Sequence, residues 1–352
     1  MRLALFCFTG LLFAQTADDP PAWFAAGMRY QEIAEQSFEK LQKANPTSPY
    51  VAALVADARV KRRQYRSAFF FYSEALKQLP HLHGIHTAVA EVYRKTGHSD
   101  WAGAEDAKEA ALPAPDCKTH AAECEFVAGH DAALVKSAAA TPEALYWRAK
   151  AANELALQAF FRLGQLPESV EIHKLRADIA RGQGQYLEEV KEWRAALALK
   201  PADSALQQEL AVSLFLAADY RAAIAEAGKL SRTAETEFLI GDSLLRLEQP
   251  EEAIPHLKSA LTLNPKLLAA DASLGLALAR TGKAPEAIPH LVKALDLDRD
   301  GSLHFQLAGA YRSAGQIEKA QAMMAKYQEL AKREQEAKEE VAREAQIGPP
   351  RE

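Results

Sequence analysis

Glu252-Ala253-Ile254-Pro255-His256-Leu257 returns 34 residues later as Glu286-Ala287-Ile288-Pro289-His290-Leu291. The flanks repeat in step: Ile240-Gly241 with Leu274-Gly275, Leu244 with Leu278, and Ala260-Leu261 with Ala294-Leu295. A fixed period of this length is the signature of stacked supersecondary units, each unable to bury its apolar face alone. The expected core therefore grows unit by unit along the chain.

Composition agrees with a helical array. Of the 352 residues, 49% are hydrophobic and 25% charged, with a large alanine share that favours helix and lets helices approach closely. No stretch sustains the alternation of Val, Ile and Thr that marks a strand. The net charge of −5, with no basic stripe, argues against a nucleic-acid binder. At the N-terminus, Arg2, the apolar run Leu3 to Phe13 and the small Ala14 read as a cleavable signal segment over residues 1–14. Cys7 lies inside that run, too early for a lipobox. No later run is long enough to span a bilayer. The expected location is periplasmic or secreted, with no transmembrane segment.

Once the period is known, one marker set phases the units: small, bulky, small, then proline, at offsets 0, +4, +7 and +12. Small residues let the second helix of a pair pack closely on the first, the bulky one fills the space between them, and proline stops the helix. Ala68, Tyr72, Ala75 and Pro80 fit, as do Ala253, Leu257, Ala260 and Pro265. Ala287, Leu291 and Ala294 match until Arg299 replaces proline. Glu189, Trp193, Ala196 and Pro201 fit with one polar exception, while Ala223, Ala227 and Leu230 are looser. Ala320, Met324 and Tyr327 close the series. From 189 onward the first markers are 34, 30, 34 and 33 residues apart.

This pattern resembles the tetratricopeptide repeat family, strongly over 184–327 and more loosely from residue 20. Gly241, Leu244, Gly275, Leu278 and Tyr311 occupy the family's helix A positions, and Gly97, Gly184, Gly282 and Gly315 its turn between helices A and B. The resemblance implies an all-α fold, a right-handed superhelical solenoid of helix pairs with no β-sheet. It also implies protein or peptide partners held on a concave face lined by the A helices.

Two segments depart from the pattern. Residues 27–41 align with 149–163, and in each the helix A and helix B small residues stand seven apart (Gly27 and Ala34; Ala149 and Ala156), where a regular unit has twelve (Gly241 and Ala253). The loss of five residues removes the turn and predicts one continuous helix through each, over 142–165 in the second case. Thr141-Pro142-Glu143 supplies an N-cap, an N1 proline and an acid for that helix start. Residues 113–141 read as an irregular junction between an N-terminal array (15–112) and a C-terminal one (142–327). Residues 328–352 read as a charged capping helix over 328–346, which stops at Gly348-Pro349-Pro350, and a tail.

Candidate chemistry is sparse, and the expected protein is not an enzyme. Gly241-Asp242-Ser243-Leu244 spells a hydrolase nucleophile block, but Gly241 and Leu244 are already repeat positions and no Asp-x-x-His follows. Cys117 and Cys124 are the disulfide candidates. Seven residues apart on a straight helix they would lie about 10 Å from each other, so the bridge requires a loop. The competing reading is a zinc or thiol-redox centre on Cys117 and Cys124 with His120, and with His81, His83 or His86 as a further ligand. No cofactor or metal is assigned. Phe70 and Phe71 are the aromatic excess beside the markers Phe69 and Tyr72, packing on the N-terminal helix or marking a contact surface.

By phasing, the face implied to bind partners carries Phe215, Phe238, Leu245, Leu276 and Phe305 as an apolar floor, with Arg246, Arg280 and Arg312 along its margin. In the first half it carries charges, including Asp57, Lys61, Glu91 and Lys95. Asp57–Lys61, Glu91–Lys95 and Asp242–Arg246 are spaced to pair at i, i+4. The expected function is an exported, non-catalytic scaffold for proteins or peptides, with a lipid- or glycan-binding solenoid as a further alternative. His256 and His290 are expected on the outer face without a chemical role.

Overall fold

The chain's turns keep the spacing of its sequence markers. In the computed structural model, which describes residues 19–344 and 346–350, left-handed backbone recurs at Arg63, Gly97, Gly184, Ala218, Glu248, Gly282 and Gly315. The last five are separated by 34, 30, 34 and 33 residues, as the markers are. Each closes one helix and opens the next. All regular elements among the described residues are helical, and no strand occurs among them. The signal segment read at residues 1–14 lies outside the described residues.

The chain divides into two units. Unit 1 runs to Leu175 and takes in the tail from Ala345, and unit 2 spans Arg176–Glu344. Unit 1 contains α1 (Pro20–Ala44), α2 (Pro49–Lys61), α3 (Tyr65–Gln78), α4 (Ile85–Lys95), α5 (Ser99–Ala111), α6 (Ala121–Val127), α7 (Asp131–Lys136) and α8 (Pro142–Leu163). The division falls within α9 (Val170–Gly182). Unit 2 continues with α10 (Tyr186–Leu199), α11 (Ser204–Leu216), α12 (Tyr220–Ala227), α13 (Ala234–Arg246) and α14 (Pro250–Leu263). It ends with α15 (Leu268–Arg280), α16 (Ala284–Lys293), α17 (Ser302–Ser313) and α18 (Ile317–Glu344).

Within each regular pair, a small residue on the first helix receives a bulky one from the second. A Cβ at Gly241 would lie 2.7 Å from Leu257 Cγ, and one at Gly275 would lie 2.7 Å from Leu291 Cγ. Leu257 and Leu291 are fully buried. Each such leucine contributes roughly 2 kcal/mol by leaving water, which makes this repeated contact the main packing event of a unit. Pro255 and Pro289 of the twin hexapeptide lie inside α14 and α16, and neither ends its helix.

The two departures from the repeat answer one another. Both are unbroken helices: α1 has 25 residues and α8 has 22, with Thr141 capping α8 by accepting from the Ala144 N–H at 3.2 Å. They pack antiparallel. A Cβ at Gly27 would lie 2.3 Å from the Phe160 ring, while Ala34 and Ala152 share one buried cluster further along. The A half of α1 thus receives the B half of α8. With its turn deleted, neither segment can fold back on itself, and each becomes the other's missing partner.

This pairing accounts for the position of the boundary. Residues 113–141 belong inside unit 1, because α6 and α7 pack on α8 and α8 packs on α1. The division lies after Leu175 and not at the irregular stretch. The charged helix read at 328–346 is not a separate element either, since α18 runs without interruption for 28 residues from Ile317. The sulfurs of Cys117 and Cys124 are bonded, with their Cα atoms 5.6 Å apart. Cys117 lies ahead of α6 and Cys124 within it, so the loop that the bridge requires is present. In this bonded form the two sulfurs are not free to ligate zinc. Phe71 packs on the unit 1 core, and Phe70 meets it edge-on at 5.2 Å.

Candidate functional site

In unit 2 the A helices pack side by side, α11 on α13, α13 on α15 and α15 on α17, whereas α12, α14 and α16 make at most marginal approach to one another. Helices that crowd on one side of a stack and spread on the other curve it toward the crowded side. The A-helix face is therefore the inner face of unit 2.

Four of the five apolar residues read for this face lie partly open on it. Phe238 and Leu276 are half-buried and rest on the buried cluster that contains Leu257 and Leu291. Phe215 is half-buried and meets Tyr220 edge-on at 5.5 Å. Phe305 remains 48% exposed, its ring 5.3 Å from Tyr327. Leu245 does not belong with them: it is 3% exposed and part of the core beneath. Its helical position turns it one step further inward than the phasing assigned.

The basic margin is partly committed. Arg246 pairs with Asp242 at 3.5 Å, one helical turn away on α13. Asp242 also accepts from the Ser273 hydroxyl at 2.7 Å, which ties α13 to α15. Arg280 donates to the Leu245 carbonyl at 3.4 Å, a second tie between the same helices. Arg312 is exposed at the end of α17. Ser243, the serine of the hydrolase-like block, is fully buried inside α13 and out of reach of any substrate.

On the corresponding face of unit 1, Glu91 and Lys95 of α4 stay open to solvent and pair at 3.4 Å, whereas the α2 positions are covered by the chain itself. Asp57 does not pair with Lys61. It accepts from the Tyr72 hydroxyl at 2.7 Å and from Lys150 of α8 at 2.9 Å, while Lys61 donates to Asn153 of α8 at 2.8 Å. Burial pulls the Lys150 pKa down, but the Asp57 carboxylate beside it outweighs that and leaves it raised. Burial, reinforced by Asp57, pushes the Tyr72 hydroxyl up as well, so it stays a donor. Lys150 and Asn153 were missed because nothing in the spacing shows that α8 returns to cover α2.

The histidines of the hexapeptide also have partners that were not anticipated. His256 meets Glu237 at 2.8 Å, and His290 meets Asp271 at 2.8 Å. Each bond joins helix B to helix A of the same pair across 19 residues. His86 and Glu105, at 2.5 Å, occupy the same two repeat positions with acid and base exchanged, and Gln207 donates to Glu226 across the same interval at 3.3 Å. A search of the sequence for complementary residues 19 apart, in phase with the markers, would have found these clasps.

Among the described residues, His120, Glu123 and Glu143 bring one potential metal-ligating atom each within 4.8 Å of one another. Each already has a protein partner: His120 pairs with Glu143 at 3.2 Å, and Glu123 with His83 at 2.8 Å. Burial first, then Glu143 and Glu123, pushes the neighbouring Tyr50 hydroxyl up to about 12.

Residues 234–267 match the tetratricopeptide repeat model. That span is one helix pair, α13 with α14, and it contains the first copy of the hexapeptide. A tetratricopeptide repeat is present in this chain. Among solved structures the chain is similar to YrrB, described as a TPR protein with an unusual peptide-binding site. The two are 20% identical over 46% of this chain and 86% of that one, with a TM-score of 0.39. It is also similar to MamA of Desulfovibrio magneticus RS-1, at 19% identity over 47% of this chain and 97% of that one, with a TM-score of 0.43. A third is a thermophilic TPR protein of Thermus thermophilus, at 20% identity over 50% and 98%, with a TM-score of 0.39. No curated protein sequence matches the chain. No described helix is long and apolar enough to cross a membrane.

Proposed function

We propose that this chain is an exported scaffold that binds an extended or helical protein segment along the A-helix face of unit 2, and that it performs no chemistry of its own. The observation that carries this reading is the row Phe215, Phe238, Leu276 and Phe305, one partly open apolar side chain on each of four successive A helices. Aromatic anchors beside arginines are the composition of surfaces where a few residues supply most of the binding energy. Peptide recognition by such a face needs an apolar floor and a polar margin, and Arg246, Arg280 and Arg312 supply the margin. The signal segment at 1–14 supports a periplasmic or secreted setting.

The test is cross-linking capture from the native envelope with the full chain, compared with Phe238→Ala/Phe305→Ala. Partner recovery should fall at least tenfold in the double variant while its thermal melt is retained. Unchanged capture would remove the A-helix face from the account, and capture of lipid or glycan in place of protein would replace the ligand class.

A further inference from the structure

The tail is more than an end cap. Its last described residues, Gln346–Pro350, group with unit 1 and are seated on it. Ile347 packs on the unit 1 core, and the Tyr93 hydroxyl donates to the Gly348 carbonyl oxygen at 2.8 Å. Tyr93 is 1% exposed, fixed between Phe69 at 5.5 Å and Trp101 at 5.6 Å. His98 stacks on Trp101 at 4.4 Å and completes the platform. Arg66, Thr96 and His98, together with Gln346 and Ile347 of the tail, line a cavity of about 630 Å³. These residues come from the start of α3, the end of α4 and the turn into α5. They form the turn edge of unit 1, apart from its A-helix face.

We propose that this edge is a binding site for an extended Ile-Gly-Pro-Pro type of segment, and that residues 347–350 are its resident ligand, held in cis and excluding segments offered from outside. The chemistry of the two sides matches. Proline fixes its own φ and disfavours helix in the residue before it, so Gly348-Pro349-Pro350 is extended before it binds and loses little entropy on docking. Prolines have no N–H to donate, so such a segment presents carbonyls, and the site answers with a buried hydroxyl donor. Without the tail, that hydroxyl loses this hydrogen bond and can donate to a carbonyl of another segment. The isoleucine supplies the apolar anchor beside it. A tethered ligand acts at an effective concentration of order millimolar, so a free segment at micromolar concentration cannot displace it.

The experiment uses the full chain and two variants that free the site, Ile347→Glu and a stop after Glu344. The probe is a fluorescein-labelled synthetic peptide spanning residues 343–352, with binding read by fluorescence anisotropy. The wild-type chain should bind the peptide at least tenfold more weakly than either variant. Adding Tyr93→Phe to Ile347→Glu should weaken binding about fivefold, the loss of one hydrogen bond. Phe238→Ala/Phe305→Ala should change nothing, which separates this site from the face proposed in unit 2. Equal binding by wild type and both variants overturns the proposal. So does absence of binding by variants whose circular dichroism and melting match the wild type, or binding indifferent to Tyr93→Phe. Wild-type dimers that dissociate in Ile347→Glu would place the tail on a second copy and overturn the cis assignment.

Discussion

His86 and Glu105 show what one residue pair contributes to a unit. The hydrogen bond to Glu105 raises the His86 pKa above its ordinary value. Burial works against the charged form of Glu105, but His86 and Lys108 prevail and hold its pKa below the usual carboxylate range. The histidine is stabilising below its unfolded pKa of about 6.5, and that contribution is lost as pH rises through its raised folded value. The glutamate is stabilising above about 4.3 and loses its contribution as pH falls through its depressed folded value. Their contribution is complete only between these limits. Urea midpoints of the full chain measured from pH 5 to 9 should decline on the alkaline side, and His86→Gln should flatten that decline. Gln207 shows that glutamine can make the same clasp. An unchanged slope in His86→Gln would assign the dependence to other groups. At this scale the sequence was only partly legible. Gly241 and Leu257 announced their contact by size, since a missing Cβ opposite a buried leucine leaves one way to pack. Leu245 was misplaced because phase alone does not separate a floor residue from the core one step beneath it.

At the scale of elements, the turns between helices are the legible part, and their exceptions are informative. Gly97, Gly184, Gly282 and Gly315 adopt left-handed backbone without steric cost, but Arg63, Ala218 and Glu248 hold the same conformation with a Cβ. For such residues that region costs about 1–2 kcal/mol. Glu248→Gly should therefore stabilise unit 2 by about 1 kcal/mol, less than the full strain because glycine also loosens the unfolded chain. A higher chemical-denaturation midpoint with an unchanged slope is the expected result, and a lower midpoint would mean that the Glu248 side chain outweighs its strain. The fused helices were also legible, from a five-residue deficit. Their mutual packing was not. A deficit shows that a turn is missing, whereas the partner that replaces the lost contact lies more than a hundred residues away.

For the molecule as a whole, a stack is as firm as its weakest neighbouring interface. The sequence marks that point in unit 2 as its one 30-residue step. There α12 has 8 residues where α10 and α14 have 14, so the shortfall comes out of a helix and leaves the turn spacing otherwise intact. What remains buries only Ala223 and Ala227, while α14 buries Ala253, Ile254, Leu257 and Ala260. At the bulky marker α12 carries Ala227, and the small position of α11 in the same phase is Ala211, where the next pair packs Leu257 against Gly241. Alanines at these two positions bury less apolar area than a leucine in a glycine slot, and less area means a lower cost of local opening. Residue-resolved hydrogen exchange on the full chain should then find the least protected interior helix of unit 2 at Tyr220–Ala227, with opening free energies rising through α13 to α16, which carry the Leu257 and Leu291 cluster. Protection of α12 equal to that of α14 would mean that its neighbours α11 and α13 hold it by contacts other than apolar burial, and the weak point would have to be sought elsewhere.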